Sequence, residues 1–252
     1  MRRLLLYTLL VLLAVPTSFA STMDEGIAAY QETNYSKAIE LFTQALSQEG
    51  VTAEGYYNLA SAYYKNGDMG LAVLNFNRAY RIDPSDRDTR FNLQFVSSQI
   101  TDKMEETPKL FISRWFDAVS HWFSLTTWNL LSALFILLVA IGIFLYFRGR
   151  STTARRVGFY GGITALLLTL LVNIIAYRSY HFAHEAKEAI LLSSIITIKS
   201  SPDASAKDIA VVHEGLKVET LQSLSGYTEV RLPDGTIGWI PMGSYELINN
   251  FD

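Results

Sequence analysis

The chain has 252 residues, 50% of them hydrophobic, a formal net charge of −3 and no cysteine. The missing cysteines exclude disulfides, thiol nucleophiles and thiolate metal sites, and so small a charge gives no electrostatic footprint for nucleic acid, so no such partner is expected. The apolar excess is local, in residues 4–15, 128–147 and 157–177.

The first of these stretches reads as a secretory signal, 1–20. Arg2 and Arg3 precede a short apolar run that Pro16 ends, and Ser18 and Ala20 place small residues at the −3 and −1 positions of a cleavage point. The run falls short of the roughly 20 residues needed to span a bilayer, so cleavage after Ala20 is expected.

Residues 21–104 contain an internal repeat. Ala38 and Ala72, Phe42 and Phe76, and Ala45 and Ala79 are each 34 positions apart, the period of helix–turn–helix tetratricopeptide units. In the second unit, 53–86, Tyr56, Leu59, Ala60, Tyr63 and Tyr64 fall on a first helix and Gly67-Asp68 on the turn. Ala72, Phe76 and Ala79 fall on a second helix, which Asp83-Pro84 ends. This unit is similar to a tetratricopeptide repeat. The first is degraded: Gly26 and Ala38 fit, but Glu25 stands where leucine is usual and Thr33 where glycine is usual. Phe91-Asn92-Leu93 copies Tyr57-Asn58-Leu59, so 86–101 is expected to be a capping helix. The resemblance implies a partner groove along the first helices of the units: Tyr30 and Gln31, then Tyr57, Ser61, Tyr64 and Lys65, then Phe91 and Phe95. Packing between repeats is the competing role for each aromatic.

The segment 105–127 is rich in aromatics. Thr107-Pro108 reads as a helix start, and Phe111, Trp115, Val119 and Trp122 recur at helical spacing. The expectation is an amphipathic helix over 108–124, lying on the outer membrane surface or packing on the repeats. Trp128 to Phe147 and Val157 to Tyr177 are uncharged runs long enough to cross a bilayer. Between them, 148–156 carries Arg148, Arg150, Arg155 and Arg156 and no acid. The excess of positive charge places this loop in the cytoplasm and both flanks in the periplasm.

After a linker, 178–188, the period becomes strand-like. About five short strands are expected in 189–249, consistent with a small barrel. The string Val230-Arg231-Leu232-Pro233-Asp234-Gly235-Thr236-Ile237-Gly238-Trp239-Ile240 resembles the end of a bacterial SH3 domain, as do Lys199-Ser200-Ser201-Pro202 and Glu214-Gly215-Leu216-Lys217-Val218. The resemblance implies a shallow groove around Trp239, with Tyr227, Pro241 and Tyr245 as neighbours, and cell-wall peptides or proteins as ligands. Trp239 as barrel core is the rival reading.

Catalytic patterns are missing. The sequence has no phosphate-binding glycine loop and no G-x-S-x-G elbow. His181 and His184 share a helix face but lack an acidic cluster beyond Glu185 and Glu188, so they read as interfacial polar residues. No enzyme activity, metal or cofactor is expected. The expected protein is a multidomain membrane protein: an all-α tetratricopeptide solenoid, a two-helix transmembrane hairpin and a small all-β SH3-like barrel.

This order of parts resembles the BatE-type proteins of the Bacteroides aerotolerance operon, with Phe91-Asn92-Leu93-Gln94-Phe95-Val96 and the closing SH3 string carrying the likeness best. The resemblance implies an inner-membrane scaffold for oxidative-stress tolerance, beside von Willebrand A-domain membrane proteins and a MoxR-type AAA+ ATPase. A cell-wall or ligand sensor acting through the SH3-like domain is the alternative.

Overall fold

The computed structural model describes residues 21–104, 111–184 and 187–251. The expected signal peptide and the Thr107-Pro108 helix start lie outside the described residues.

Among the described residues five helices come first: α1 (Thr22–Gln31), α2 (Tyr35–Gln48), α3 (Ala53–Asn66), α4 (Met69–Ile82) and α5 (Arg87–Ser97). Side chains close most of their N-termini. Ser21 and Asp24 form a capping box, and Asn34, Thr52 and Asp86 accept the backbone N–H groups of Lys37, Gly55 and Thr89. The small residues of the 34-residue pattern let the helices approach. Ala38, Ala45, Ala72 and Ala79 are fully buried, and a Cβ on Gly26 would meet the Phe42 ring at 2.6 Å. The substituted Glu25 is exposed, which is why the first repeat tolerates it. Thr33 is different. It takes the left-handed turn conformation at φ 62° that Gly67 takes in the second repeat at φ 96°. For a β-branched residue that conformation is strained.

Three helices follow: α6 (Phe111–Ser120), α7 (Leu125–Arg148) and α8 (Thr152–His184). The helix expected over 108–124 stops short because Ser124 caps α7, its hydroxyl accepting from the Thr127 N–H at 3.4 Å. The expected linker is helical as far as His184, where Arg178 pairs with Asp117 and the Phe182 ring packs against Tyr80. The helices α7 and α8 are long and apolar enough to cross a membrane, and only 11% of the most apolar window of α7 is buried. They touch closely where glycines meet: a Cβ on Gly142 would lie 2.7 Å from the Gly162 Cα. The Asn173 amide donates to the Ser132 hydroxyl and to the Thr169 carbonyl, both at 2.8 Å, so this polar side chain between the two helices is paired.

The remainder is one antiparallel sheet: β1 (Glu188–Leu191), β2 (Ile195–Lys199), β3 (Asp208–His213), β4 (Lys217–Leu224), β5 (Tyr227–Arg231), β6 (Ile237–Pro241) and β7 (Tyr245–Leu247). Its order is β3-β2-β6-β5-β4-β1-β7. Alternation buries Ile196 and Ile198 of β2 with Val212, Val218, Val230 and Ile240 in one core. Two features differ from expectation. Seven strands are present, because a three-residue strand such as β7 shows no alternation in sequence. The sheet is also open: no ladder joins its edge strands β3 and β7. Each edge meets the repeats instead. The His213 N–H at the end of β3 donates to Asp102, and the carbonyls of Leu247 and Ile248 accept from Arg78.

A second core joins repeats to sheet. Val73, Leu74 and Phe76 of α4 pack in one buried cluster with Val96 of α5, with Ile190 of β1 and with Ile248 just after β7. Phe251 reaches further, its ring centroid 6.0 Å from that of Tyr56.

Thr33→Gly should relieve the left-handed strain and stabilise the chain by about 1 kcal/mol. Urea unfolding followed by circular dichroism measures this. A variant no more stable than the parent would contradict the strain reading.

Candidate functional site: the repeat face and the arginine junction

The residues expected to line the repeat groove divide into two groups. Tyr57 and Tyr64 hold the repeats together. The Tyr57 ring meets Phe76 edge-on at 5.6 Å, and its hydroxyl accepts from the Asn92 amide at 2.9 Å. The Tyr64 ring meets Phe95 at 5.8 Å, and its hydroxyl lies 3.2 Å from the Gln99 amide nitrogen. Ser61 donates to the Tyr57 carbonyl at 2.8 Å, and the half-buried Tyr30 packs edge-on against Tyr35 at 5.4 Å. Gln31, Lys65, Phe91 and Phe95 are exposed, Phe91 at 69%.

Charged groups stand near two of these rings. Burial raises the Tyr57 pKa, and Asp88 and Asp86 push it the same way. Burial also raises that of Tyr30, against the opposing pull of nearby Lys65. Asp86 and Asp88 thus lie near Tyr57, and Lys65 near Tyr30. Apolar rings beside polar groups are the usual make-up of a protein-binding surface.

Sequence reasoning missed the junction behind this face, which is built on α4. Its N-cap Asp68 makes no side-chain cap. The Glu214 carboxylate, from the loop after β3, accepts the Gly70 N–H at 3.1 Å instead, placing negative charge at the positive end of the helix dipole. A Cβ on Gly70 would sit 3.0 Å from that carboxylate and 3.3 Å from the Leu191 carbonyl, which explains a glycine inside a helix. Near the other end, Arg78 donates to Glu246 at 2.5 Å and to the carbonyls of Leu247 and Ile248 at 3.3 Å, and lies 5.5 Å from the Tyr56 ring centroid.

Arg81 joins three parts of the chain. It pairs with Glu188 of β1, donates to the Phe182 carbonyl in the last turn of α8, and stacks 4.8 Å from the Phe182 ring centroid. Its side chain is 2% exposed. Burial lowers its pKa, and Glu188 offsets the shift. Tyr80 completes the contact, its hydroxyl 3.2 Å from His121 Nδ1 and its ring 5.8 Å from Phe182. In sequence the polar residues of Asn75 to Ile82 read as a solvated face, and the fold buries Arg78 and Arg81 among them.

The other expected site residues are placed as follows. Trp239 is 8% exposed but lies on the face of β6 opposite Ile240, outside the apolar core. Tyr227 pairs with Pro241 on that same outer face. Tyr245 does not join them: it packs on the core and its hydroxyl lies 3.0 Å from Thr228 Oγ1. Arg148, Arg150, Arg155 and Arg156 are all exposed, and Arg155 donates to the Gly149 carbonyl at 3.0 Å. Trp128, the first residue of the uncharged run, is 5% exposed, and its indole N–H donates to the Ser120 carbonyl at 3.1 Å. Among the described residues, no group of three or more histidines and acids is placed to hold a metal ion.

Residues 23–87 match the family model of the tetratricopeptide repeat, so this part of the chain is a repeat domain of a protein-interaction class. A stretch of 70 residues is 37% identical to a protein SGT1 homolog of Oryza sativa subsp. japonica, covering 27% of this chain and 19% of that protein. The match thus spans less than a fifth of that relative's length and speaks for a shared module.

Arg81→Ala removes one partner of a buried pair and leaves a cavity. It should cost about 3 kcal/mol, near the low end for such pairs because Lys217, at 3.6 Å, still faces Glu188. Lys37→Ala, which breaks the exposed Lys37–Glu40 pair, should cost less than about 0.5 kcal/mol. Denaturant melts of the two full-length variants make the comparison. Equal small losses would show that Arg81 locks nothing.

Proposed function

We propose that this chain is a membrane-anchored scaffold that holds its repeat face toward partner proteins in an envelope complex. The observation that carries the reading is how the sheet docks. It covers α4 and leaves Gln31, Lys65, Phe91 and Phe95 open. The face with exposed aromatics beside polar and charged groups is therefore the one left for a partner.

In this reading α7 and α8 are the transmembrane hairpin. Their outward apolar surface and the unpaired arginine excess of 148–156 support it. The arginine loop is cytoplasmic, and the repeats and sheet stand on the periplasmic side of a bacterial inner membrane. The strand sequence around Trp239 supports assigning the sheet to the bacterial SH3 class, and the order of modules supports a BatE-type protein working beside von Willebrand A-domain membrane proteins and their MoxR-type AAA+ ATPase. A sensor acting through the Trp239 face draws less support, because Tyr245 is turned away from that face.

The test is a titration of the full chain in detergent with the von Willebrand A domains of those membrane proteins. Phe91→Ala combined with Lys65→Glu alters exposed residues only, so the fold should survive. Loss of an aromatic anchor of about 2 kcal/mol weakens binding roughly thirtyfold. A folded variant that binds as tightly as the parent would place the partner site elsewhere.

A further inference from the structure

The helix α6 has two committed faces. Its inner face is packed: Phe116 and Val119 lie with Trp128 of α7 and with Val172, Ile175 and Ala176 of α8. Asp117 forms an ion pair with Arg178. Its outer face carries Phe111, Trp115 and Ala118, and Trp122 continues the stripe past the helix end, with Ile112 beside it. Phe111 is 73% exposed and Trp122 64%. Side chains at i, i+4 and i+7 lie on one line of a helix, so Phe111, Trp115 and Ala118 form an apolar stripe that is left exposed among the described residues.

The depth of that stripe can be read from α8. The uncharged run of α8 ends at Tyr177, and Arg178 is its next charge. The inner face of α6 touches Val172 to Arg178, the last stretch of about 9 Å at 1.5 Å per residue. Four residues separate α6 from Leu125, which begins α7. The stripe therefore lies level with the outer end of the apolar hairpin. Tryptophans belong where headgroups meet acyl chains, and the exposed Arg114 on the flank of the stripe can extend its charge to headgroups.

We infer that α6 is a lipid-bound paddle: its outer face is sunk into the headgroup–acyl boundary of the outer leaflet, and the occupant of the stripe is lipid. The paddle connects to the repeats through His121, one residue past its end, which meets Tyr80 and lies 4.5 Å ring to ring from Phe182. Lipid contact on one side and the Tyr80 contact on the other set the tilt of the repeat body above the membrane. The inference rests on the hairpin reading and adds the position of α6.

The native chain has no cysteine, so single spin labels can be placed without background. The probe is the full chain in vesicles of phosphatidylethanolamine and phosphatidylglycerol. Labels go at Ile112→Cys beside the stripe, Ala118→Cys on it, Leu137→Cys on the outward face of α7, and Asp203→Cys in the loop between β2 and β3. Collision rates with oxygen and with a water-soluble nickel chelate are compared. The expected result is a severalfold preference for oxygen at 112, 118 and 137, weaker at 112 and 118 than at 137, and a preference for the chelate at 203. Chelate access at 112 and 118 with 137 still lipid-embedded would overturn the paddle and leave the hairpin standing. Chelate access at 137 would overturn the hairpin, and the paddle with it. Shielding of 112 and 118 from both reagents would mean that protein covers the stripe, and would also overturn the proposal.

Discussion

A guanidinium whose side chain is 2% exposed has almost no water to solvate it, so its charge must be met by protein groups. Arg81 finds those groups on two separate parts of the chain, the Glu188 carboxylate and the carbonyl end of α8. The helix carboxyl terminus also offers the negative end of a dipole. If the sheet or α8 moves away, the charge loses a partner in a buried place. The rest of the architecture follows from that constraint. The repeats, the sheet and the apolar hairpin meet at one residue, and Arg78 and Glu214 fix α4 to the sheet near its two ends.

Relative motion is the default for small domains joined by linkers. Here the connections are short, charged and partly dry, and an apolar core with Val73, Leu74, Ile190 and Ile248 fills the space between them. The consequence for the proposed function is geometric. A scaffold presents its partner surface at a fixed angle only if that surface cannot swing about its anchor. Using the back of α4 for docking leaves the opposite face of the repeats open, and the lipid contact inferred for α6 gives that body a reference plane.

The sequence carried the parts better than their assembly. The alanine and phenylalanine spacing marked the repeats because close helix packing demands small residues at fixed intervals, and residues 23–87 match that family. Two long apolar helices were equally plain. The helical course of 178–184 was not, because what favours it is contact: Arg178 with Asp117, and Phe182 with Tyr80. The three residues of β7 were too few for a period. The junction was hidden because charged residues in a helix read as solvated until the partner surface is known. Trp128 shows the same limit in reverse, an aromatic beside an apolar run that is packed against Ser120 and Val119. The proposed partner face was half legible: its exposed residues Lys65 and Phe91 could be named from the repeat pattern, while Tyr57 and Tyr64 pack between neighbouring helices.

The central claim is that repeats and sheet form one body locked through α4. It is tested most directly by a pulsed electron spin resonance distance between labels at Gln44→Cys on α2 and Lys207→Cys in the loop before β3, both exposed positions. The account predicts one narrow distance distribution for the full chain, broadening when Arg78 and Arg81 are both replaced by alanine. A broad distribution in the otherwise native chain would contradict it.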